Sequence, residues 1–323
     1  MLHPNLDVDV LTPPATPNSL TTARDTTINL PLGFDLDDFT AELTGGITEA
    51  MVAPITVLAN NNVFQKYFSM ADLDLLNKFL GIPAYNAVAG HDYVHIRFNR
   101  STQFGGREIY TPSQGNAAAV LVSGAIRNLQ SETRFRTGNY GSDGIGVGNP
   151  QVKLSMNNTP ATGALQVTPF TRGTPTVQGS GPGLCRTVQA VQINAASGQV
   201  VTLNQQNGLV LGTGQTQNVD RIFLVDPNSS LSAIQVKIGN TTLRNRDNNL
   251  AAFYRLLTPT YRADQSTAYV VDFTDRLYGD EDPQDGLSQL QISFTVGTGG
   301  PISFYVDGSG NPLASPSVVL AGK

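Results

Sequence analysis

Tryptophan is absent from the 323 residues, cysteine occurs once, histidine three times, and charged side chains make up only 14% of the chain. Each shortage excludes something. A lone cysteine, Cys185, cannot form an intramolecular disulfide, which removes the small secreted scaffold held by bridges. Carbohydrate-binding and carbohydrate-processing sandwiches stack sugars on exposed tryptophan, so its absence weakens both readings, although Tyr (10) and Phe (14) could substitute in part. The charge is of the wrong sign for a nucleic-acid-wrapping protein, with a net −5 and a pI near 5.1. Arg97, Arg100 and Arg107 form the one local basic patch. No run approaches the apolar length of a membrane-spanning helix. The start, Met1-Leu-His-Pro-Asn-Leu-Asp-Val-Asp, lacks a basic stretch followed by an apolar one, so no signal peptide is expected and synthesis in a cytoplasm is.

Catalytic signatures are missing as well. The chain has no Gly-x-x-x-x-Gly-Lys-Ser/Thr loop, no His-Glu-x-x-His and no Gly-x-Ser-x-Gly elbow. Gly144-Ile-Gly-Val-Gly has neither the preceding strand nor the following helix that dinucleotide binding requires. His91 and His95 bracket Asp92-Tyr-Val, but Tyr93-Val-His-Ile-Arg-Phe alternates as a strand. Positions four apart on a strand are about 13 Å apart, too far for one ion, so a hydrogen-bonded His95 is expected instead. Cys185 beside Arg186 reads as an idle thiol in a linker. The single dense acidic cluster, Asp280, Glu281, Asp282 and Asp285, reads first as a solvated loop; its hard oxygens are also the one place a structural calcium ion could bind. Sequons at Asn99, Asn157, Asn228 and Asn240 are the chance yield of an Asn- and Thr-rich chain. The expectation is a protein with no enzymatic activity and no cofactor other than that calcium.

What is present is 40% hydrophobic residues, 32 glycines and 19 prolines, with Asn, Gln, Ser and Thr filling the rest. This composition suits an all-β chain of short strands joined by tight turns, with a neutral polar surface. Such surfaces suit packing against identical copies, because burying Thr or Gln costs less than burying Lys or Glu. Residues 1–46 read as an N-terminal arm: Thr12-Pro-Pro-Ala-Thr-Pro denies donors to a sheet, and Leu32 to Leu43 predicts a short helix with Asp35, Asp37 and Asp38 in its first turn. Residues 47–178 form a first β-sandwich. Within it, Met51 to Leu58 is a strand whose Pro54 marks an edge or a bulge, and Met70 to Leu80 is a helix stopped by Gly81. Further strands are expected at Tyr93–Phe98, Val120–Ile126, Thr133–Arg136 and Val152–Met156, with a long loop from Gly138 to Pro150. A Gly-rich linker over Gly173 to Gly183 leads into a second sandwich, residues 179–323.

That second half carries Ala233-Ile-Gln-Val-Lys-Ile-Gly-Asn-Thr-Thr-Leu-Arg, Asp247-Asn-Asn-Leu-Ala-Ala-Phe-Tyr-Arg-Leu-Leu, Tyr269-Val-Val-Asp-Phe-Thr-Asp-Arg and Leu287-Ser-Gln-Leu-Gln-Ile-Ser-Phe-Thr-Val. The strand, turn, helix and closing strand in these segments resemble the double jelly-roll major capsid proteins of tailless, membrane-containing icosahedral phages and adenovirus-like viruses. The motif-level resemblance spans roughly Val188 to Asp307; over residues 50–170 it is architectural only. It implies two jelly-roll-like barrels with short inserted helices and an extended arm. It also implies a homotrimeric, pseudo-hexagonal capsomer in the virion shell. The implied partners are neighbouring capsomers, other virion proteins and an internal lipid membrane, without sequence-specific nucleic-acid binding. Two other readings stand beside it: a minor capsid, vertex or spike protein, and a carbohydrate-binding or carbohydrate-processing sandwich.

Overall fold

The structure is a computed structural model that describes residues 8–10, 26–44, 49–79, 92–98, 135–139, 146–157, 166–175, 185–204, 218–238, 240–246, 268–272, 284–285 and 290–313. In chain order the first half contributes β1 (Val8–Val10), β2 (Thr26–Asn29), β3 (Phe34–Thr44), β4 (Val52–Ala59), β5 (Asn62–Tyr67), helix α1 (Met70–Phe79), β6 (Asp92–Arg97), β7 (Phe135–Arg136), β8 (Gly138–Asn139), β9 (Gly146–Val147), β10 (Pro150–Met156) and β11 (Gln166–Pro175). The second half contributes β12 (Cys185–Ala195), β13 (Val200–Leu203), β14 (Asn218–Val225), β15 (Leu231–Ile238), β16 (Thr241–Arg246), β17 (Ala268–Asp272), β18 (Gln284–Asp285), β19 (Leu290–Val296) and β20 (Gly300–Gly310).

Alternation of side chains decides which face each strand buries. In β6, Val94 and Ile96 point inward while Tyr93, His95 and Arg97 are only half-buried, and β10 turns Val152, Leu154 and Met156 to the same core. One sheet of the first sandwich runs β1-β11-β3-β6, with β7 also paired to β3. It faces the strands β2-β10-β4-β5, and Phe64, Phe98 and Phe135 meet between the layers at ring-centroid distances of 4.7 and 5.2 Å. The second sandwich sets β13-β19-β15-β16 against β12-β20-β14-β17, with Phe294 and Phe304 in contact across its core at 5.8 Å.

Several expectations change. The helix predicted over Leu32 to Leu43 is strand β3. Its aspartates suit a helix first turn, but Phe39, Ala41 and Leu43 alternate into the core, and β3 pairs with β11 on one side and β6 on the other. Tertiary pairing overrides the local signal. Residues 26–44 of the expected arm are therefore built into the sandwich, and β1 lies along β11. Pro54 is not at an edge, since β4 runs between β5 and β10. The register there shifts from Leu154↔Ile55 to Met156↔Val52, so the bulge reading holds. The loop from Gly138 contains the short β8–β9 pair. Cys185 opens β12 rather than lying in a linker, and its thiol is fully buried. The strand at Val120–Ile126 and the helix expected near Asn248–Leu257 fall outside the described residues.

Other elements match their signals. Helix α1 starts after Ser69, whose Oγ accepts from Asp72 N at 3.0 Å, and it buries Met70, Leu73, Leu76 and Phe79. The β4–β5 hairpin closes on two residues, Asn60 and Asn61, at φ 48° and 73°, the left-handed pair that a tight hairpin needs. Asn60 also ties this turn down, donating Nδ2 to Gly146 O at 2.6 Å and accepting from Asn149 N at 3.0 Å.

Candidate functional site: the seam between the sandwiches

The two sandwiches share one sheet. β5 of the first and β12 of the second run parallel, with Val188 opposite Gln65, so a nine-stranded sheet passes from one to the other. Beyond the junction, the strands of the second sandwich are buried on both faces. Ile222, Leu224, Ile302, Phe304 and Val306 enter the second core. Phe223, Val225 and Tyr305 point the opposite way, into the first. Strands covered on both faces are apolar at successive positions, as Ile222-Phe-Leu-Val is.

Helix α1 is the wedge in this seam. Phe79 meets Phe223 edge-on at 5.1 Å. Tyr305 lies against Tyr67 and Phe68, with centroids at 6.2 and 5.9 Å. Its hydroxyl donates to Asp72 in the first turn of α1 and accepts from Phe68 N at 3.1 Å. A strand of the second sandwich thus helps cap a helix of the first. Burial raises the Asp72 carboxyl above the usual carboxylate range, against the opposing hydrogen bonds from Tyr305 and Ser69. Burial, with the Asp72 carboxylate beside it, pushes the Tyr305 hydroxyl far upward and keeps it a donor.

Deeper in the seam are two fully buried arginines, Arg186 on β12 and Arg221 on β14, with Asp307 on β20 between them. Arg186 Nε donates to Asp307 Oδ1 at 2.6 Å, and Arg221 Nη1 is 3.7 Å from Oδ2. Burial is the largest influence and works against the charged form of Arg186, but Asp307 and Tyr67 together hold the guanidinium above its ordinary range. Gln65 spans the junction, donating to the carbonyls of Arg186 at 2.8 Å and Arg97 at 3.0 Å, and it accepts from Tyr67 Oη at 3.1 Å. Burial pushes the Tyr67 hydroxyl up to about 12. Backbone pairing continues across, from Arg186 N to Phe98 O at 2.8 Å. Neutral hydroxyls and paired ions in a closed seam fix the mutual position of two sandwiches.

The residues singled out from the sequence lie elsewhere or outside view. Asp280, Glu281 and Asp282 are outside the described residues, and Asp285 belongs to β18, paired with Asn218 on β14. His91 is outside them too, while His95 Nδ1 is 2.9 Å from Thr40 Oγ1, the hydrogen-bonded histidine expected. Burial pushes the Cys185 thiol strongly upward, which makes it unreactive. Of the basic patch, only Arg97 is described. Sequence reasoning did not find Arg186, Arg221, Asp307, Tyr305 or Gln65. A signal existed for two of them: Arg221 directly precedes the apolar run Ile222-Phe-Leu-Val and Asp307 directly follows Phe304-Tyr-Val, where an ion can signal a buried partner.

Two jelly-roll sandwiches side by side in one chain define the double jelly-roll fold of viral major capsid proteins, and the resemblance seen in the sequence is borne out. Residues 14–111 match the family described as the viral coat protein P2 N-terminal domain. That match lies in the half where the sequence resemblance was only architectural. Among solved structures, the chain is similar to the major capsid protein P2 of bacteriophage PM2, at 16% identity and a TM-score of 0.62 over 91% of this chain and 94% of that one. It is also similar to a chain of Sulfolobus Turreted Icosahedral Virus, at 12% identity and a TM-score of 0.57 over 91% and 88%. A chain of the PBCV-1 virus capsid aligns at 7% identity with a TM-score of 0.52, over 91% of both chains. No curated protein sequence matches the chain.

Proposed function

We propose that this protein is the major capsid protein of an icosahedral virus and that three copies form a pseudo-hexagonal capsomer. The observation that carries the reading is the end-to-end match to the PM2 coat protein, which leaves little of either chain unaccounted for. The seam adds physical support. A shared sheet, a wedged helix and buried ion pairs make the two sandwiches a single building block, so three copies present six similar walls. The low charge, 14%, suits wide polar contacts between those walls. The role is architectural, without catalysis, and its location is the virion shell.

Light scattering on the purified chain tests the assembly, with three times the 34.3 kDa chain mass expected; a strictly monomeric, sugar-binding species would sink the reading. Quantifying copies per purified particle tests the major role, because a few dozen copies would assign the chain to a vertex or spike instead. The segment before β2 is proposed to strap neighbouring capsomers or face an internal membrane. Removing residues 1–25 deletes the short edge strand β1 but stops short of Thr26–Asn29, and should leave the sandwiches folded on their remaining strands while impairing shell assembly. Normal particles from that truncation would refute the strap.

A further inference from the structure

The two halves repeat one topology, strand for strand. In chain order β1, β2, β3, β4, β5, β6, β10 and β11 correspond to β12 through β17, β19 and β20. The sheet order β1-β11-β3-β6 recurs as β12-β20-β14-β17, and β2-β10-β4-β5 recurs as β13-β19-β15-β16. Even the short strands agree, since β7 pairs with the start of β3 and β18 with the start of β14. The seam joins these halves head to tail. It pairs β5, an end strand of the first sandwich, in parallel with β12, an end strand of the second. Their counterparts, β16 in the second sandwich and β1 in the first, are both sheet edges with no strand beyond them among the described residues. A bare edge offers a row of backbone donors and acceptors to another chain. A head-to-tail contact can also be repeated until it closes a ring.

We propose that β16 of one copy pairs in parallel with β1 of the next, repeating between chains the contact that β5 and β12 make within one. This deepens the trimer reading and rests on it: seam and copy-to-copy contacts alternate around six sandwiches, which is three chains. Charge selects the partner. β16 includes Arg244 and Arg246 and β1 includes Asp9, so β16 repels a second β16 and attracts β1. The contact between copies is also more polar than the seam. Where β14 sends Phe223 and Val225 into the first core, its counterpart β3 carries Thr40 and Glu42 on its outward face, hydrogen-bonded to His95 and Tyr93. Copies should therefore separate while the seam stays closed.

Mixed assemblies of the full chain test it. Asp9→Cys chains and Thr242→Cys chains, the latter changed at an exposed position of β16, are co-expressed and treated with a short bismaleimide. Cys185 is buried and does not compete for the reagent. The expected result is a covalent dimer joining one chain of each kind, absent when either variant is treated alone. Trimers by light scattering without that product overturn the strand pairing and leave the trimer standing, whereas monomers overturn both. The same product from either variant alone also overturns the pairing. If a variant fails to fold, amide exchange on the wild-type chain decides. It should slow over Thr241–Arg246 as trimers form from dilute chain, and unchanged exchange there in formed trimers overturns the proposal.

Discussion

At the scale of single residues, the protein is held by polar groups in places where apolar ones would be expected. Asp307 contacts two buried guanidiniums, those of Arg186 and Arg221. Asp307→Asn should therefore cost about 3–5 kcal/mol in denaturant unfolding, since it leaves the enclosed Arg186 guanidinium without the carboxylate it donates to. In the double variant Arg186→Met/Asp307→Leu the loss should be smaller than the sum of the singles, and additive losses would contradict the coupling. Tyr305→Phe removes the hydroxyl shared by Phe68 N and Asp72, with an expected loss of about 1–3 kcal/mol. Asp72 also sets a pH dependence. Its folded value lies above the ordinary 3.8, so the folded chain retains a proton that the unfolded chain has released. Its contribution is present below the unfolded value and is lost as pH rises through the raised folded one. Stability against pH, compared between wild type and Asp72→Asn, should show a falling component above pH 3.8 that only the wild type has.

At the scale of elements, the pairing of strands rather than local preference decides geometry. β3 carries helix-like acids, yet it is a strand with one residue, Asp37, bulged between its pairings at Leu36 and Asp38. Gly173 on β11 lies opposite that bulge. A Cβ there would meet the Asp35 carbonyl oxygen at 2.6 Å and the Leu36 Cα at 3.0 Å, both backbone atoms that cannot swing aside. Gly173→Ala should destabilise the chain by about 1–3 kcal/mol in denaturant titration, and a neutral result would mean the bulge is not where the register places it. Helix α1, by contrast, was legible. Its apolar spacing and the serine before it mark the start, and Leu73, Leu76 and Phe79 all reach the core. Ser69→Ala should cost about 1 kcal/mol through the lost cap. β20 was not legible as the centre of the second sandwich. Pro301-Ile-Ser-Phe-Tyr-Val-Asp reads as an ordinary alternating strand, and nothing local says that both of its faces are buried.

At the scale of the whole molecule, the two sandwiches cannot be treated as independent. The first core includes Cys185, Val188, Phe223, Val225 and Tyr305 from the second half. Unfolding should be a single transition, coincident by far-UV circular dichroism and by tyrosine fluorescence. Residues 179–323 produced alone would expose the α1-facing side of β14 and β20, and should bind hydrophobic dyes or aggregate. Two resolved transitions, or a soluble and well-folded second half, would contradict that account.

The sequence by itself determined the β-rich class, the two strand-rich halves, helix α1 and the hydrogen-bonded His95, because alternation, capping and composition act over a few residues. It also carried the likeness to double jelly-roll capsid proteins. Only the tertiary structure decided that residues 26–44 belong to the first sandwich, that one sheet crosses between the halves, and that Arg186, Arg221 and Asp307 meet. Those facts rest on partners far apart in the chain, 121 positions for Arg186 and Asp307 and for Gln65 and the Arg186 carbonyl, and no local pattern encodes a pairing at that range. Burial on a second face is likewise a property of what packs there, and for β14 and β20 that is a helix from the other half of the chain.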